Sequence, residues 1–211
     1  MSLMSQQNER FQPQLYWQWV GLNALGFGIA TTICFSTRVS EFNREILWLS
    51  GLIVGSITGL CQAIALKKKI PKLRYWQWIL ANIIGGYAGT LGALLLISAA
   101  LDSNLQTSLH LVFLVFGALV GVAISFTQTF MLMSRAHGVW IWGLVTIIAR
   151  AIAWGCVSLL IPLLFSSGIG TTEIGATLSL LPVPVSLVGG TVGGGIFGII
   201  TGFALNYLRP K

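Results

Sequence analysis

Arg150 lies in the apolar run Val-Thr-Ile-Ile-Ala-Arg-Ala-Ile-Ala-Trp. A guanidinium at the centre of a membrane helix costs about 2.5–3.5 kcal/mol on insertion scales. No acid occurs inside any of the long apolar runs to pair with it. The expected partners are amides, freed carbonyls, water, a lipid phosphate, a bound anion or the carboxylate of another protein. Two roles follow. The charge either holds an anion or partner, or bonds to carbonyls and only fixes helix contacts.

The second group is a set of amides and hydroxyls in otherwise apolar surroundings. Asn23, Asn82 and Thr146 each follow a tryptophan by four residues, and Gln62, Gln128 and Thr201 each follow a Gly/Ser stripe by three. Counted along a helix at about 1.5 Å per residue, all six lie roughly 6–11 Å inside one membrane boundary. An unpaired amide in hydrocarbon is costly, so these side chains are expected to bond to one another across helices. Such a layer serves as interhelical glue or lines a polar path. His110, at the outer start of the fourth helix, and His137, in a cytoplasmic turn, fall on opposite sides of the membrane and cannot share a metal. Cys34, Cys61 and Cys156 lack ligand spacing and read as small packing residues. No metal site is expected. With no intramembrane carboxylate pair, phosphate loop or zinc-binding H-E-x-x-H, the expectation is that the protein is not an enzyme.

The elements that position these groups follow from the glycines. Gly51, Gly55 and Gly59 lead to Gln62; Gly117, Gly121 and Ser125 lead to Gln128; Gly190, Gly194 and Gly198 lead to Thr201. Steps of four, four and three keep each set on one helix face. Small residues at that spacing let helix backbones approach in lipid, where leucine contacts gain little over acyl chains. The alternative is an open groove for a carotenoid, chlorophyll, quinone or lipid tail. Ahead of each stripe stands a tryptophan pair: Trp17 and Trp19, Trp76 and Trp78, Trp140 and Trp142. At helix starts these read as interface aromatics, with one of each pair free to face a protein neighbour or pigment.

The chain is 55% apolar and only 8% charged, against about 25% charged in a soluble domain, so its solvent is lipid. The expected fold is all-α: six transmembrane helices at roughly 16–35, 46–66, 76–100, 109–134, 139–165 and 183–207, each near the ~20 residues a bilayer requires. Residues 1–15 form a polar tail, 16–207 one membrane domain, and 208–211 a basic end. Three tandem hairpins, about 16–66, 75–134 and 139–207, are expected around a pseudo-threefold axis. Pro162 is expected to kink the fifth helix, and residues 166–181 to form the longest outer loop.

The +7 net charge lies between the spans, which points to anionic head groups and not to nucleic acid. Nine basic residues (Arg10, Lys67, Lys68, Lys69, Lys72, Arg74, Arg135, Arg209, Lys211) fall on one side against Arg38 and Arg44 on the other. Both termini are therefore expected in the cytoplasm.

Together the W-x-W-x-x-x-N element, the stripe ending in glutamine and the basic turn resemble small multi-pass membrane proteins encoded in cyanobacteria and other bacteria. The match runs well over residues 16–90, fairly over 117–146, and weakens at 190–205, where Thr201 replaces glutamine. The resemblance implies a bacterial inner or thylakoid membrane and brings no established activity with it. Three two-helix repeats are also similar to mitochondrial carriers, but the carrier proline–acid–base signature is missing from every odd helix.

Three functions remain open. The first is an interaction protein: a subunit, assembly factor or stabiliser of a membrane complex, with Arg150 meeting a partner carboxylate or lipid. The second is a small-solute channel or carrier using Arg150 and the amide layer. The third is pigment, quinone or lipid binding in the glycine groove.

Overall fold

The computed structural model describes residues 12–36, 44–102, 108–164 and 183–211. The expected N-terminal tail up to residue 11, the outer-loop residues Arg38 and Glu41, and the long loop at 166–181 lie outside them. Six helices carry the fold: α1 (Pro13–Ser36), α2 (Arg44–Lys69), α3 (Tyr75–Asp102), α4 (Leu109–Leu132), α5 (Val139–Leu164) and α6 (Val183–Ala204), the last continued by a short 3-10 turn at Leu205–Tyr207. Each helix packs on its chain neighbour, and α6 closes on α1, so the six form a ring.

Among the described residues, four stretches are long and apolar enough to cross a membrane: Tyr75–Leu96, His110–Leu132, Val139–Leu160 and Ser186–Tyr207. The outside of the ring agrees with a lipid solvent. Phe126, Phe130 and Trp140 are each 73% exposed, which water would penalise heavily.

The glycine stripes set the ring's spacing. A Cβ added at Gly55 would stand 2.6 Å from the Asn82 carbonyl oxygen, and one at Gly51 would stand 2.8 Å from the Tyr87 Cα. At Gly59 it would meet the Asn82 side chain and the Ile79 backbone. Gly117 and Gly121 meet α5 in the same way, at Arg150, Ile147 and Trp154. Gly190, Gly194 and Gly198 meet Phe27, Asn23 and Val20 of α1. Each even helix thus lies backbone to backbone against the next odd helix. The stripes are filled by protein, which removes the open groove at these glycines.

The turn after α4 was not foreseen. Ala136–His137 (β1) pairs antiparallel with Arg209–Pro210 (β2). Gly138 makes this possible. It has φ +77, and the Tyr207 carbonyl sits where a side chain would be. The Lys211 amide donates to the Arg135 carbonyl (2.9 Å) and the Lys72 ammonium to the Lys211 carbonyl (3.1 Å). The C-terminal end is therefore tied to both the α2–α3 and α4–α5 turns.

Candidate functional site

At the end of the ring that carries these turns, three indoles meet. Trp19, Trp78 and Trp142 are fully buried. The Trp142 ring lies 5.5 Å from Trp19 and 6.2 Å from Trp78, tilted by 71° and 60°. Leu66, Ile70, Leu73, Leu132, Leu205 and Leu208 pack around them as one apolar plug. Trp19, Trp78 and Trp142 are thus the members of the three pairs that face protein neighbours instead of lipid. Trp17, Trp76 and Trp140 are 64%, 58% and 73% exposed and suit the interface. Their partners two residues on point to the other side of the helix, into the ring. The signal was present in the sequence: Trp19, Trp78 and Trp142 each lie one turn before a buried polar residue and share its face.

Next to the plug lies a polar seam. The Trp78 indole N–H donates to Gln62 Oε1 (3.3 Å), and the Gln62 amide donates to Asn23 Oδ1 (2.8 Å). The arrangement repeats one hairpin later. Trp142 donates to Gln128 Oε1 (3.0 Å), and Gln128 donates to Asn82 Oδ1 (3.0 Å) and, at 3.4 Å, to Gln62 Oε1. Asn23 and Asn82 return their own N–H groups to the Trp19 and Trp78 carbonyls, both at 2.9 Å. All four amides are fully buried. Within a low-dielectric interior such a chain of bonds is cooperative.

The third place around the ring differs. Trp19 donates to Thr201 Oγ1 (2.9 Å), and Thr201 donates back to the Phe197 carbonyl (2.7 Å). A threonine is too short to bridge onward. Thr146, fully buried opposite, has no hydrogen-bond partner. Of the six side chains expected to bond to one another across helices, the four amides do so; Thr201 is joined across helices only to Trp19, and Thr146 to nothing. Thr129 Oγ1 is also unpartnered. It faces Gly143, where an added Cβ would stand 2.8 Å away.

One turn beyond Thr146 on α5 stands Arg150, 2% exposed. Its guanidinium carbon is 4.4 Å from the Phe27 ring centroid and 4.5 Å from that of Phe197. Those two centroids are 5.9 Å apart, so the rings form a corner around the charge and do not sandwich it. Two aromatic faces attract a cation but leave its N–H groups without conventional acceptors. Nε and Nη2 have no hydrogen-bond partner. The two rings belong to one apolar cluster with Ala149, Ala153 and, packed against it from α2, Val54. Arg150 therefore faces the ring interior, between α1 and α6. The aromatic partners were missed because phenylalanines in apolar runs carry no mark of which way they face. Yet Phe27 is eight residues beyond Trp19, as Arg150 is beyond Trp142, so their placement at one level was available.

Two further contacts explain the glutamine of the W-Q-W elements. Lys68 donates to Gln18 Oε1 (2.8 Å), and Arg135 donates to Gln77 Oε1 (2.6 Å) and to the Met131 carbonyl. Each joins a cation at the C-terminal end of an even helix to the start of an odd one, where the helix dipole favours positive charge. His110 Nδ1 lies 2.9 Å from Ser158 Oγ at the other end of the ring, and His137 is in β1. Among the described residues no cluster of His, Cys, Asp or Glu could hold a metal. Neither a family model, nor a curated protein, nor a solved structure matches this chain.

Proposed function

We propose that this is a small-solute carrier of the membrane that takes an anion at Arg150. The carrying observation is the buried guanidinium of α5 with two unpartnered N–H positions, held between aromatic rings of α1 and α6. A permanent internal charge that serves only packing is expected to satisfy its donors, because leaving them unpaired is costly. The close-packed indoles and leucines at the plug favour a gated carrier over an open channel. A continuous pore would need that end unblocked.

In this reading all six helices span the membrane. They form three tandem hairpins about a pseudo-threefold axis, with the basic turns and both termini on the cytoplasmic side of a bacterial inner or thylakoid membrane. The recurrence of the Trp–Gln–Asn bonding in two consecutive hairpins supports the repeat, as does the even-to-odd glycine packing at all three places. Closure of the ring by α6 on α1 supports spanning by α1 and α2, since both are flanked by helices apolar enough to cross. Anionic head groups are the natural neighbours of the basic turns. The subunit or assembly-factor role would rest on the exterior, but an aromatic exterior is what lipid alone requires, so it does not favour that role.

Reconstitution into liposomes tests the function. Influx of acetate, phosphate and chloride would be followed with wild type and with Arg150→Met, which keeps the apolar stem and loses the charge. Flux of at least one anion that Arg150→Met abolishes is the expected result. No flux for any of them, or equal flux through the variant, removes the carrier reading.

A further inference from the structure

The two unpartnered atoms of Arg150 are not an arbitrary pair. Nε–H and one Nη2–H lie side by side on the same edge of a guanidinium and point in parallel. That edge matches two oxygens of one carboxylate or phosphate, and the two-bond geometry is what separates arginine from a point charge. One helical turn away on α5, the Thr146 hydroxyl is also buried and unpartnered. Residues four apart share a helix face, so both deficits lie along one stripe of α5. Across the ring the equivalent polar positions, Asn23 and Asn82, are fully paired. Apart from Thr129 Oγ1 on α4, the buried unpartnered side-chain atoms among the described residues lie on α5, at the place where threonines stand in for amides.

Resting on the anion-site reading above, we infer that Arg150 Nε and Nη2 together with Thr146 Oγ1 form a side-on binding site for a small oxyanion bearing two adjacent oxygens, a soluble carboxylate or phosphate. A monatomic anion offers one contact centre and cannot accept both parallel bonds in line. The Phe27 and Phe197 rings against the guanidinium, with Arg150 only 2% exposed, restrict the ligand to one with little beyond its charged group. The rings hold the guanidinium by its faces while leaving that edge available. The ligand comes from the soluble pool and not from a lipid head group, because the charge faces the ring interior at 2% exposure.

The test is binding to the full-length protein in nanodiscs of zwitterionic lipid, read as a shift in thermal midpoint during titration. The probes are sodium acetate, sodium phosphate and sodium chloride at matched ionic strength. Saturable stabilisation by acetate or phosphate, and none by chloride, is expected. Arg150→Lys keeps the charge without the fork and should weaken binding roughly tenfold or more, since bonds to charged groups carry about 1.5–3 kcal/mol. Arg150→Met should abolish it. Thr146→Val should raise the midpoint of the free protein, because it removes a buried unpaired hydroxyl, yet weaken acetate binding about threefold.

Equal responses to chloride and acetate, or undiminished binding in Arg150→Lys, would overturn the side-on geometry while leaving an anion site. Unchanged acetate affinity in Thr146→Val would overturn the hydroxyl's part. Stabilisation that follows added anionic lipid and ignores soluble oxyanion would overturn the soluble source of the ligand. Oxyanion binding without flux in liposomes would end the carrier reading and leave the site standing.

Discussion

The α1–α4 side of the ring and the α5–α6 side share one packing scheme and differ in polarity. On both, an even helix lays its glycines against the next odd helix, and a buried indole donates to the polar residue at the foot of that stripe. On the first side the acceptor is a glutamine, long enough to pass a second bond to an asparagine. On the other it is Thr201, which turns back to its own helix and leaves Thr146 alone. The lone charge stands on the side where the seam is incomplete. Backbone approach therefore does not depend on the amides, while completeness of the hydrogen bonds does. The seam is structural where it closes, and its gap is where a ligand can be recognised.

The largest effect should come from breaking the closed side. Gln128→Leu removes the acceptor of Trp142 and the donor to Asn82, leaving several buried groups unpaired. A loss of about 2–4 kcal/mol is expected, read as a fall in thermal midpoint in detergent. A loss no greater than that of Thr201→Val would abolish the distinction between the two sides. Next come the stripes. Gly55→Ala and Gly194→Ala each drive a methyl into a neighbouring carbonyl, Asn82 and Asn23 respectively, and should cost about 1–3 kcal/mol apiece. The two should be alike within error. A large difference would mean that packing, too, diverges between the sides.

Thr201→Val deprives only the Trp19 indole of its partner, for about 1 kcal/mol. Coupling sharpens the point. Thr146→Asn with Thr201→Gln should be less destabilising together than the sum of the singles, because only the pair can complete the bridge. Strict additivity would show that the hydroxyl side is not built on the plan of the amide side. The smallest effect is Gly92→Ala, whose added methyl meets nothing within 4 Å. It should be neutral or stabilising by up to about 1 kcal/mol.

Much of this was legible because spacing survives translation into helix faces. The four-residue glycine period fixes helices and their contact sides. The positions of Asn23, Gln62, Asn82 and Gln128 relative to those stripes place four amides at one level without coordinates. Three things were not read. Composition alone does not say which tryptophan of each pair turns inward; phase relative to Asn23, Asn82 and Thr146 does. The environment of Arg150 was sought among polar partners, whereas Phe27 and Phe197 supply it, and an aromatic in an apolar run looks the same whether it meets lipid or a cation. The pairing of Ala136–His137 with Arg209–Pro210 rests on two-residue strands, too short to carry any period, with Gly138 the one residue that hinted at a sharp reversal.

The most direct measurement of the central claim is nitrogen-15 NMR of the arginine side chains in zwitterionic nanodiscs, with the Arg150 signal assigned by its loss in Arg150→Lys. In the free protein its Nε–H should be protected from exchange yet lack the downfield shift of a bonded donor, and saturating acetate should produce that shift. An Nε–H already hydrogen-bonded without ligand, or one that acetate leaves unmoved, would contradict an unfilled anion edge inside the ring.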